Sequence, residues 1–459
     1  MDDVLRKVLK KITPSGKEED GMRKISRRLL IAVGKFADKY GAETILAGSI
    51  TRNTWLREKK EIDIFVALPE SVQEKDVEKI GLSIGKSAVK SVGGRHVISY
   101  AQHPYVRGFV GKFQVDIVPC YKLQSADRIR SAVDRTPFHV KYIEKNMRPE
   151  QAGDVRLLKQ FFKSSGIYGA DLKTEGFSGY MCDLLIIKYG SFGNTMKAVA
   201  DWKAGTFITL DDKQTDQKFS APLVLIDPVD AKRNVAAAVS AKNFELLIRM
   251  AGEFLKKPSV NFFAIPKYRP IERNEFLDIQ KRRGTQTVAV TFKPPKVVPD
   301  ILWPQLRRAA DRLSQMLKEN DFRVMNSGAW SDEKSLCALV FEMEVHSLPN
   351  VKKRVGPSIF VHSNARNFVE HYAKSAVRRP YVENTNWVAE TVRKHTDAAY
   401  YILNVLKQNR KKLEIIGIPS HIAVSICSGS KIAVDENFYG LIKSNREARI
   451  FLGKFFGAR

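Results

Sequence analysis

Three acidic residues lie at the head of, or inside, apolar runs that favour buried β-strands. Glu61 and Asp63 open the run "EIDIFVAL" (61–68), and Asp116 lies within "VDIV" (115–118). Because side chains alternate along a strand, Glu61 and Asp63 share one face, and a neighbouring strand could bring Asp116 beside them. Converging carboxylates are costly to bury alone, whereas one or two Mg²⁺ ions take such oxygen ligands. The pattern predicts a metal site suited to phosphate chemistry.

The acid pair also has an ordinary interpretation, in which both side chains are exposed at a strand end. Nearby basic residues would then balance them: Arg57, Lys59 and Lys60. The upstream segment "GSITRNTWL" (48–56) favours the functional interpretation, because Ser49 is predicted to begin a helix whose free N–H groups bind anions. Arg52, three residues later, would project from the same helix face. A phosphate site shortly before a metal-binding acid pair indicates transfer of a phosphate-containing group.

The elements that would position these residues follow from the spacing of the apolar side chains. Residues 43–120 predict a β–α–β–α–β module, and residues 125–255 are mostly helical, with a helical pattern over 178–202 and a brief strand in "PLVLIDPVD". Residues 272–345 alternate helix and strand, which predicts a small sheet covered by helices on one side. The segment after about residue 380 is helix-rich and basic.

The charge balance is strongly one-sided for a chain of 459 residues. Lys and Arg number 77 against 50 acids, a net charge of +27 with a pI near 9.8. Ordinary solvation needs charge but not such an excess of one sign, so the composition favours a polyanionic partner, nucleic acid before an anionic membrane. The basic clusters "KRRG" (281–284), "RRP" (378–380) and "RKK" (410–412) are candidates for a groove that contacts an RNA backbone.

Cysteine usage and hydropathy bear on the compartment. Four scattered cysteines without a CxxC pair fit a reducing cytosol. The N-terminal segment is charged throughout, unlike a signal peptide. The stretch "IIGIPSHIAVSICSGS" (415–430) is shorter than the ~20 apolar residues of a membrane span. We therefore expect a cytoplasmic protein with no membrane partner.

The motifs together resemble a known family. Gly48-Ser49, Glu61-x-Asp63 and Asp116 resemble the signature of the DNA polymerase β-type nucleotidyltransferase superfamily, and further blocks resemble the archaeal (class I) CCA-adding enzymes, the tRNA nucleotidyltransferases. Those blocks occur in the family's order over about residues 45–240: "GSITRNTWL", "HPYVRG", "VDIVPCY", "SAVDRTPFH", "RLLKQFFKSSGIYGA", "GFSGYMCDLLIIKYGSF" and "DPVDAKRNVAA", with "PQLRRAADRL" beyond them. The first acid is Glu where the wider superfamily usually has Asp. The archaeal family is similar to this chain in having Glu at that position.

The resemblance implies an α+β fold of four parts. These are a polymerase β-like nucleotidyltransferase α/β head (1–145), a helical central or neck domain (146–257), a small α/β, ferredoxin-like body domain that binds tRNA (258–379), and a helix-rich basic tail (380–459). A homodimer is also implied by the resemblance and by nothing in the spacing of residues.

The resemblance also implies roles for individual residues. Glu61, Asp63 and Asp116 would hold two Mg²⁺ ions, and Asp116 would help to deprotonate the attacking ribose hydroxyl. The residues implied to bind the nucleotide are Ser49, Arg52, His139, Lys159 and Tyr168. Arg233, with Asn234 beside it, resembles the family's base-selecting arginine. Taken without the family, His139 fits a core histidine, Lys159 a solvated helix position and Tyr168 a loop anchor.

The activity implied is template-independent addition and repair of CCA at the 3′ end of tRNA, using CTP and ATP. One alternative is a poly(A) polymerase-like enzyme or another RNA nucleotidyltransferase on the same module. Another, of a different class, is a non-catalytic basic RNA-binding protein with a vestigial site. The complete set of three acids argues against the second alternative.

Overall fold

The computed structural model describes residues 1–100, 103–211 and 216–457. It divides into two compact units, Met1–Pro266 and Lys267–Arg459. The first unit contains eight α-helices and seven strands among its described residues. The helices are α1 (Asp2–Ile12), α2 (Gly16–Ala37), α3 (Glu74–Ser91), α4 (Thr136–Asn146), α5 (Ala152–Ser164), α6 (Gly179–Tyr189), α7 (Phe192–Ala200) and α8 (Ala241–Lys256). The strands are β1 (Glu43–Ala47), β2 (Glu61–Pro69), β3 (Arg95–Tyr100), β4 (Pro104–Val110), β5 (Phe113–Lys122), β6 (Thr206–Ile208) and β7 (Leu223–Leu225).

A five-stranded sheet of order β1-β2-β5-β4-β3 forms the head of this unit. Strands β2 and β5, the two apolar acid-bearing runs, are parallel neighbours in this sheet, and the other pairings are antiparallel. Apolar side chains on one face, among them Ile62, Ile64 and Ile117, pack against α2 and α3. On the other face a smaller cluster includes Phe65 and Val140 of α4. The sheet thus fixes β2 beside β5.

The hairpin of β3 and β4 was absent from the predicted β–α–β–α–β order. Strand β3 is an edge strand, and five of its six residues are exposed. An exposed strand needs no alternation of apolar residues, so "RHVISY" carries no clear strand signal.

A helical layer built on α5, α6, α7 and α8 follows the head and buries the largest apolar cluster. Helix α1, although first in the chain, packs into this layer through Val8. The helical pattern over residues 178–202 is two helices, because the chain turns at Gly190 with φ of +85° and Ser191 caps α7 through the Asn194 N–H.

The second unit contains eight helices and seven strands among its described residues. The helices are α9 (Arg273–Arg283), α10 (Pro299–Glu319), α11 (His362–Tyr372), α12 (Ala398–Leu406), α13 (Arg410–Ile415), α14 (Ser420–Cys427), α15 (Asp435–Ile442) and α16 (Arg446–Phe455). The strands are β8 (Gln286–Phe292), β9 (Arg323–Ser331), β10 (Cys337–Val345), β11 (Val351–Ser358), β12 (Ala376–Glu383), β13 (Asn386–Val392) and β14 (Ser430–Val434).

An antiparallel sheet of order β14-β8-β10-β9 is covered by helices on both faces. Val288 and Leu339 pack towards α10, α12 and α14, whereas Ala289 and Val340 pack towards α9, α15 and α16. The expectation of helices on one side was therefore wrong. Its physical reason is that the second face of the sheet also carries apolar side chains, Ala289 of β8 and Ala338 and Val340 of β10, which the helices on that side bury.

A separate antiparallel sheet of order β11-β13-β12 carries α11. The expected boundary at residues 379 and 380 falls inside β12, and the C-terminal segment returns β14 to the sheet of β8. The four-part division of the chain stays a prediction. Over the described ranges, no helix is both long and apolar enough to cross a membrane.

Candidate active site

The three predicted acids lie on one face of the head sheet. Asp63 of β2 is paired in register with Asp116 of β5, and Glu61 precedes Asp63 by two residues. In-register residues on adjacent strands project from the same face, so the three carboxylates converge. The loop over residues 48–56, here called the GS loop, closes over them: a Cβ at Gly48 would lie 2.1 Å from Asp63 Oδ2. With its φ of +78°, Gly48 is required there for both space and conformation.

Basic side chains engage the two outer acids. Arg107 of β4, the cross-strand partner of Asp116, donates from Nε to Oδ1 at 2.8 Å and from Nη2 to Oδ2 at 2.7 Å. Lys59 Nζ lies 2.9 Å from Glu61 Oε2. In this arrangement no three His, Cys, Asp or Glu side chains of the described residues form a group ready to hold a metal ion. A metal ion can therefore bind only if Arg107 and Lys59 release some of the carboxylate oxygens of Asp116 and Glu61.

The charge around Asp63 nevertheless fits a divalent cation. Burial, followed by the charges of Asp116 and Glu61, raises the pKa of Asp63 from 3.8 to about 7. Negative charge is thus in excess at the centre of the cluster even with Arg107 and Lys59 in place. A hard cation such as Mg²⁺ takes carboxylate oxygens and would relieve this repulsion.

Replacing Asp63 by Asn is expected to stabilise the metal-free protein at pH 8 and to change little at pH 5. The raised pKa means that between about pH 4 and 7 the folded state keeps a proton that the unfolded state has lost, so the free energy of unfolding falls as pH rises through this window. The full shift is worth at most about 4 kcal/mol. Chemical denaturation of the wild-type and Asp63→Asn proteins, with a chelator present, measures the difference in their free energy of unfolding at pH 5 and at pH 8. An equal difference at both pH values would contradict a stabilisation that arises from the raised pKa of Asp63.

The GS loop is not the start of an α-helix, so that expectation was wrong. Its helical part is a three-residue 3-10 turn, Gly48–Ile50, and the Thr54 N–H returns to the Ser49 carbonyl at 2.9 Å. Positive φ at Gly48 and at Asn53 (+52°) interrupts any longer helix. A triphosphate would therefore be held by side chains brought to this loop rather than by a helix N-terminus.

Arg52 and Lys159 are brought together below the GS loop by a residue that the sequence did not single out, Asp183 of α6. Arg52 Nη2 donates to Asp183 Oδ2 at 2.8 Å, and Lys159 Nζ lies 3.6 Å from Oδ1. Lys159 also donates to Thr54 Oγ1 at 2.9 Å, so it is a buried loop partner rather than a solvated helix position. Burial lowers the pKa of Lys159, and the charge of Asp183 opposes that shift.

His139 and Arg233 meet at a second buried carboxylate, Asp227. His139 Nε2 lies 2.9 Å from Asp227 Oδ2, and Arg233 Nη1 donates to the same oxygen at 2.6 Å. The Tyr180 hydroxyl donates to Oδ1 at 3.1 Å, and its ring stacks on His139 with centroids 4.0 Å apart. Burial alone would raise the pKa of Asp227, but the hydrogen bonds and charge of His139, the Val229 N–H and Arg233 lower it to about 2. Asp227 is therefore an anion that orients both residues.

Asn234 is committed to the backbone. Its Oδ1 accepts from the Leu225 and Ala236 N–H groups, and its Nδ2 donates to the Leu223 carbonyl. An amide satisfied on both sides is not available to read a base without breaking these bonds. Its position beside Arg233 makes it a support of that loop.

Two further features of this unit are the position of the Tyr168 ring and a cavity near Arg233. Lys59 Nζ lies 5.6 Å from the Tyr168 ring centroid, and a Cβ at Gly179 would lie 3.0 Å from the Tyr168 hydroxyl. The ring thus lies between the Glu61 side of the acids and the start of α6. A cavity of about 1040 Å³ is lined by residues that include Arg233 and the ion pair of Arg135 with Asp230.

Sequence reasoning missed Arg107, Asp183 and Asp227. Asp227 had a usable signal, since it ends the apolar run "PLVLID" much as Asp116 lies inside "VDIV". Asp183 interrupts the apolar helix "MCDLLII", where an acid has no packing role. Arg107 lies in the block "HPYVRG", but only the pairing of β4 with β5 places it on Asp116.

Comparison with known proteins relates the whole chain to one group. Three family models match: "Nucleotidyltransferase domain" over residues 29–139, "tRNA nucleotidyltransferase, second domain" over 153–264, and "CCA-adding enzyme, C-terminal domain" over 283–435.

Curated proteins named CCA-adding enzyme are similar over nearly the full length. That of Methanothermobacter thermautotrophicus is 34% identical over 450 residues, covering 98% of this chain and 96% of the relative. That of Methanosarcina acetivorans is 35% identical over 459 residues, covering 99% and 98%. That of Methanosarcina mazei is 40% identical over 404 residues, covering 86% and 87%. With the matched nucleotidyltransferase domain, these similarities show that the chain belongs to the archaeal CCA-adding enzyme family of nucleotidyltransferases.

Proposed function

We propose that this chain adds and repairs the CCA sequence at the 3′ end of tRNA from CTP and ATP, without a nucleic-acid template. The observation that carries the proposal is the in-register pair of Asp63 and Asp116, with Glu61 on the same face beneath the GS loop. Membership of the family supports the same activity. Nucleotidyltransferases generally use divalent metal ions, and the carboxylates present fit that requirement.

The reaction is an in-line attack of the tRNA 3′-hydroxyl on the α-phosphate of the nucleotide. Glu61, Asp63 and Asp116 would hold two Mg²⁺ ions, which when bound lower the pKa of the hydroxyl and stabilise the leaving pyrophosphate. Asp116 accepts the hydroxyl proton, the new P–O bond forms, and the bond to the β-phosphate oxygen breaks. The α-phosphate stays in the new phosphodiester with one negative charge, and the β- and γ-phosphates leave as pyrophosphate.

The basic groups of the site bind that triphosphate. Ser49 supplies a hydroxyl at the turn over Asp63, while Arg52 and Lys159 supply positive charge next to it. The side chains of Tyr168 and His139 contact the nucleotide on the sides of the site where their rings lie. Lys159 is held in place by Thr54, so its charge is preset before the nucleotide arrives.

Base selection requires a feature that C and A share and that U and G lack. C and A carry an exocyclic amine where U and G carry a carbonyl oxygen. A pocket that offers an acceptor to this amine, with Arg233 donating to a neighbouring ring acceptor, accepts C and A and rejects U and G. The size difference between C and A cannot be handled by such a pocket alone, and we propose that the growing RNA end reshapes it between additions.

The tRNA is bound through its backbone by the excess of basic residues, including the clusters at 281–284, 378–380 and 410–412. We further propose a homodimer located in the cytoplasm. Four widely separated cysteines without a CxxC pair support a reducing compartment.

Affinity for tRNA is expected to fall steeply with salt and to depend little on acceptor-stem sequence. Each phosphate contact releases counterions, giving a log–log slope of roughly −0.7 to −0.9 per contact. A site that serves all tRNAs reads shape and backbone rather than bases. Filter binding of several tRNAs between low and high salt measures both dependences. A flat salt profile combined with strong sequence dependence would refute this mode of binding.

Product length tests the activity against a poly(A) polymerase-like reaction. A tRNA that lacks CCA is incubated with CTP alone, ATP alone, or both, and its 3′ end is resolved on a sequencing gel. Two additions with CTP alone and three with both nucleotides support the proposal. Long homopolymeric tails with ATP alone would support the alternative enzyme.

A further inference from the structure

The Asp183 carboxylate lies between two positively charged residues of the proposed triphosphate site. Its side chain is fully buried, as are most of Lys159 and Arg52, which are 3% and 10% exposed. Arg52 comes from the GS loop, whereas Lys159 and Asp183 come from α5 and α6 of the helical layer. The three charges thus join the two parts of the first unit.

The cluster has one donor left open. Arg52 uses Nη2 on Asp183, but within the described part of the chain its buried Nε has no hydrogen-bond partner. A buried guanidinium donor without a partner is costly, and a phosphate oxygen is a suitable acceptor for it. The local charge is also positive, since two basic groups share one carboxylate.

Anchoring of the GS loop does not require Asp183. Arg156 already holds this loop, donating from Nη2 to Asn53 Oδ1 at 2.7 Å and from Nε to the Trp55 carbonyl at 3.2 Å. Among the described residues, the ion pairs of Asp183 are instead with Arg52 and Lys159, the two side chains whose charge a triphosphate needs. Without its carboxylate, two buried positive charges would repel each other and Lys159 would lose the charge that opposes its desolvation.

We infer that Asp183 is a positioning residue that presets Arg52 and Lys159 for the β- and γ-phosphates of the incoming nucleotide. The inference rests on the proposed function, because it deepens the triphosphate site of that reaction. The contact of Asp183 is with the two basic side chains rather than with the substrate. Its effect should therefore depend on how many phosphates the ligand carries.

The test compares binding of CTP and CMP to the full chain with Mg²⁺ and without tRNA. Asp183→Asn is expected to weaken CTP affinity about tenfold or more, the range for a lost charge-assisted contact, and to change CMP affinity less than about twofold. Asp183→Glu restores the charge and is expected to recover part of the loss. Glu342→Gln, which removes another buried carboxylate paired with an arginine, is the matched control and should leave CTP affinity unchanged.

The outcomes separate this inference from the proposed function. A wild-type chain that does not bind CTP would contradict the proposed function itself. A wild-type chain that binds CTP while Asp183→Asn binds it equally well, or loses CTP and CMP equally, would overturn only the role of Asp183. If Asp183→Asn does not fold, Asp183→Glu carries the test, since the displaced carboxylate should still lower CTP affinity more than CMP affinity.

Discussion

The Asp116→Ala variant should lose nucleotide addition by more than about 100-fold, because removal of a direct metal ligand exceeds the 10- to 100-fold cost typical of outer-shell partners. Affinity for tRNA and overall folding should be nearly unchanged. Arg107, the residue that loses its partner, is one-third exposed and can be solvated. Removing one of the converging carboxylates also relieves repulsion on Asp63 in the metal-free protein. Single-turnover addition of one CMP to tRNA lacking CCA measures the effect.

A matched control for this variant lies on the same sheet. Glu43→Ala removes an exposed acid of β1 that is paired with Lys122, away from the three acids. Its activity should equal that of the wild type. An Asp116→Ala protein that unfolds, or that folds and retains more than a few per cent of the activity, would show that the assignment of Asp116 as a metal ligand is wrong.

Replacement of Arg233 by Ala should weaken discrimination against UTP and GTP more than it slows addition of the correct nucleotide. A well-placed donor pair contributes about 1–3 kcal/mol of base discrimination, which is roughly 5- to 150-fold. Asp227 keeps His139, Tyr180 and the Val229 N–H as partners after the change, so the loop should stay in place. Single-turnover incorporation of all four nucleotides on tRNA ending before CCA, after C and after CC measures the selectivity.

Arg135→Ala is the appropriate control for Arg233→Ala. Arg135 lines the same cavity and is paired with an acid, Asp230, but does not contact Asp227 in the described structure. It should change selectivity less than Arg233→Ala does. Equal slowing of all four nucleotides by Arg233→Ala would make Arg233 a phosphate contact and place base selection elsewhere.

Local patterns in the sequence were sufficient to predict the acid-bearing core of the head. The apolar runs around Asp63 and Asp116 predict adjacent buried strands, and the structure pairs these two residues in register. The helical pattern over residues 178–202 likewise contains α6 and α7. Prediction failed where the structure does not follow from a local pattern. Strand β3 is an exposed edge strand, and the helical layer that includes α1 is assembled from distant segments.

The pairing of the charged residues at the site could not be predicted for the same reason. Arg107 meets Asp116 through strand pairing, Asp183 meets Arg52 across 131 residues, and Asp227 meets His139 across 88. At the GS loop the error was the opposite one. The local sequence pattern predicted a helix, but the backbone has positive φ at Gly48 and Asn53. Sequence spacing singled out the three acids that the structure places on one face of the sheet, whereas tertiary packing determines which charges surround them.

Pyrophosphate release on a tRNA that lacks CCA tests the central claim most directly. With CTP, ATP and Mg²⁺, the wild-type chain is predicted to release three pyrophosphates per tRNA and then stop, with the product ending in CCA. Asp63→Asn and Asp116→Ala should release almost none while still binding tRNA. Continued release beyond three, or release that persists in both variants, would contradict the account, as would a wild-type chain that binds tRNA and releases no pyrophosphate.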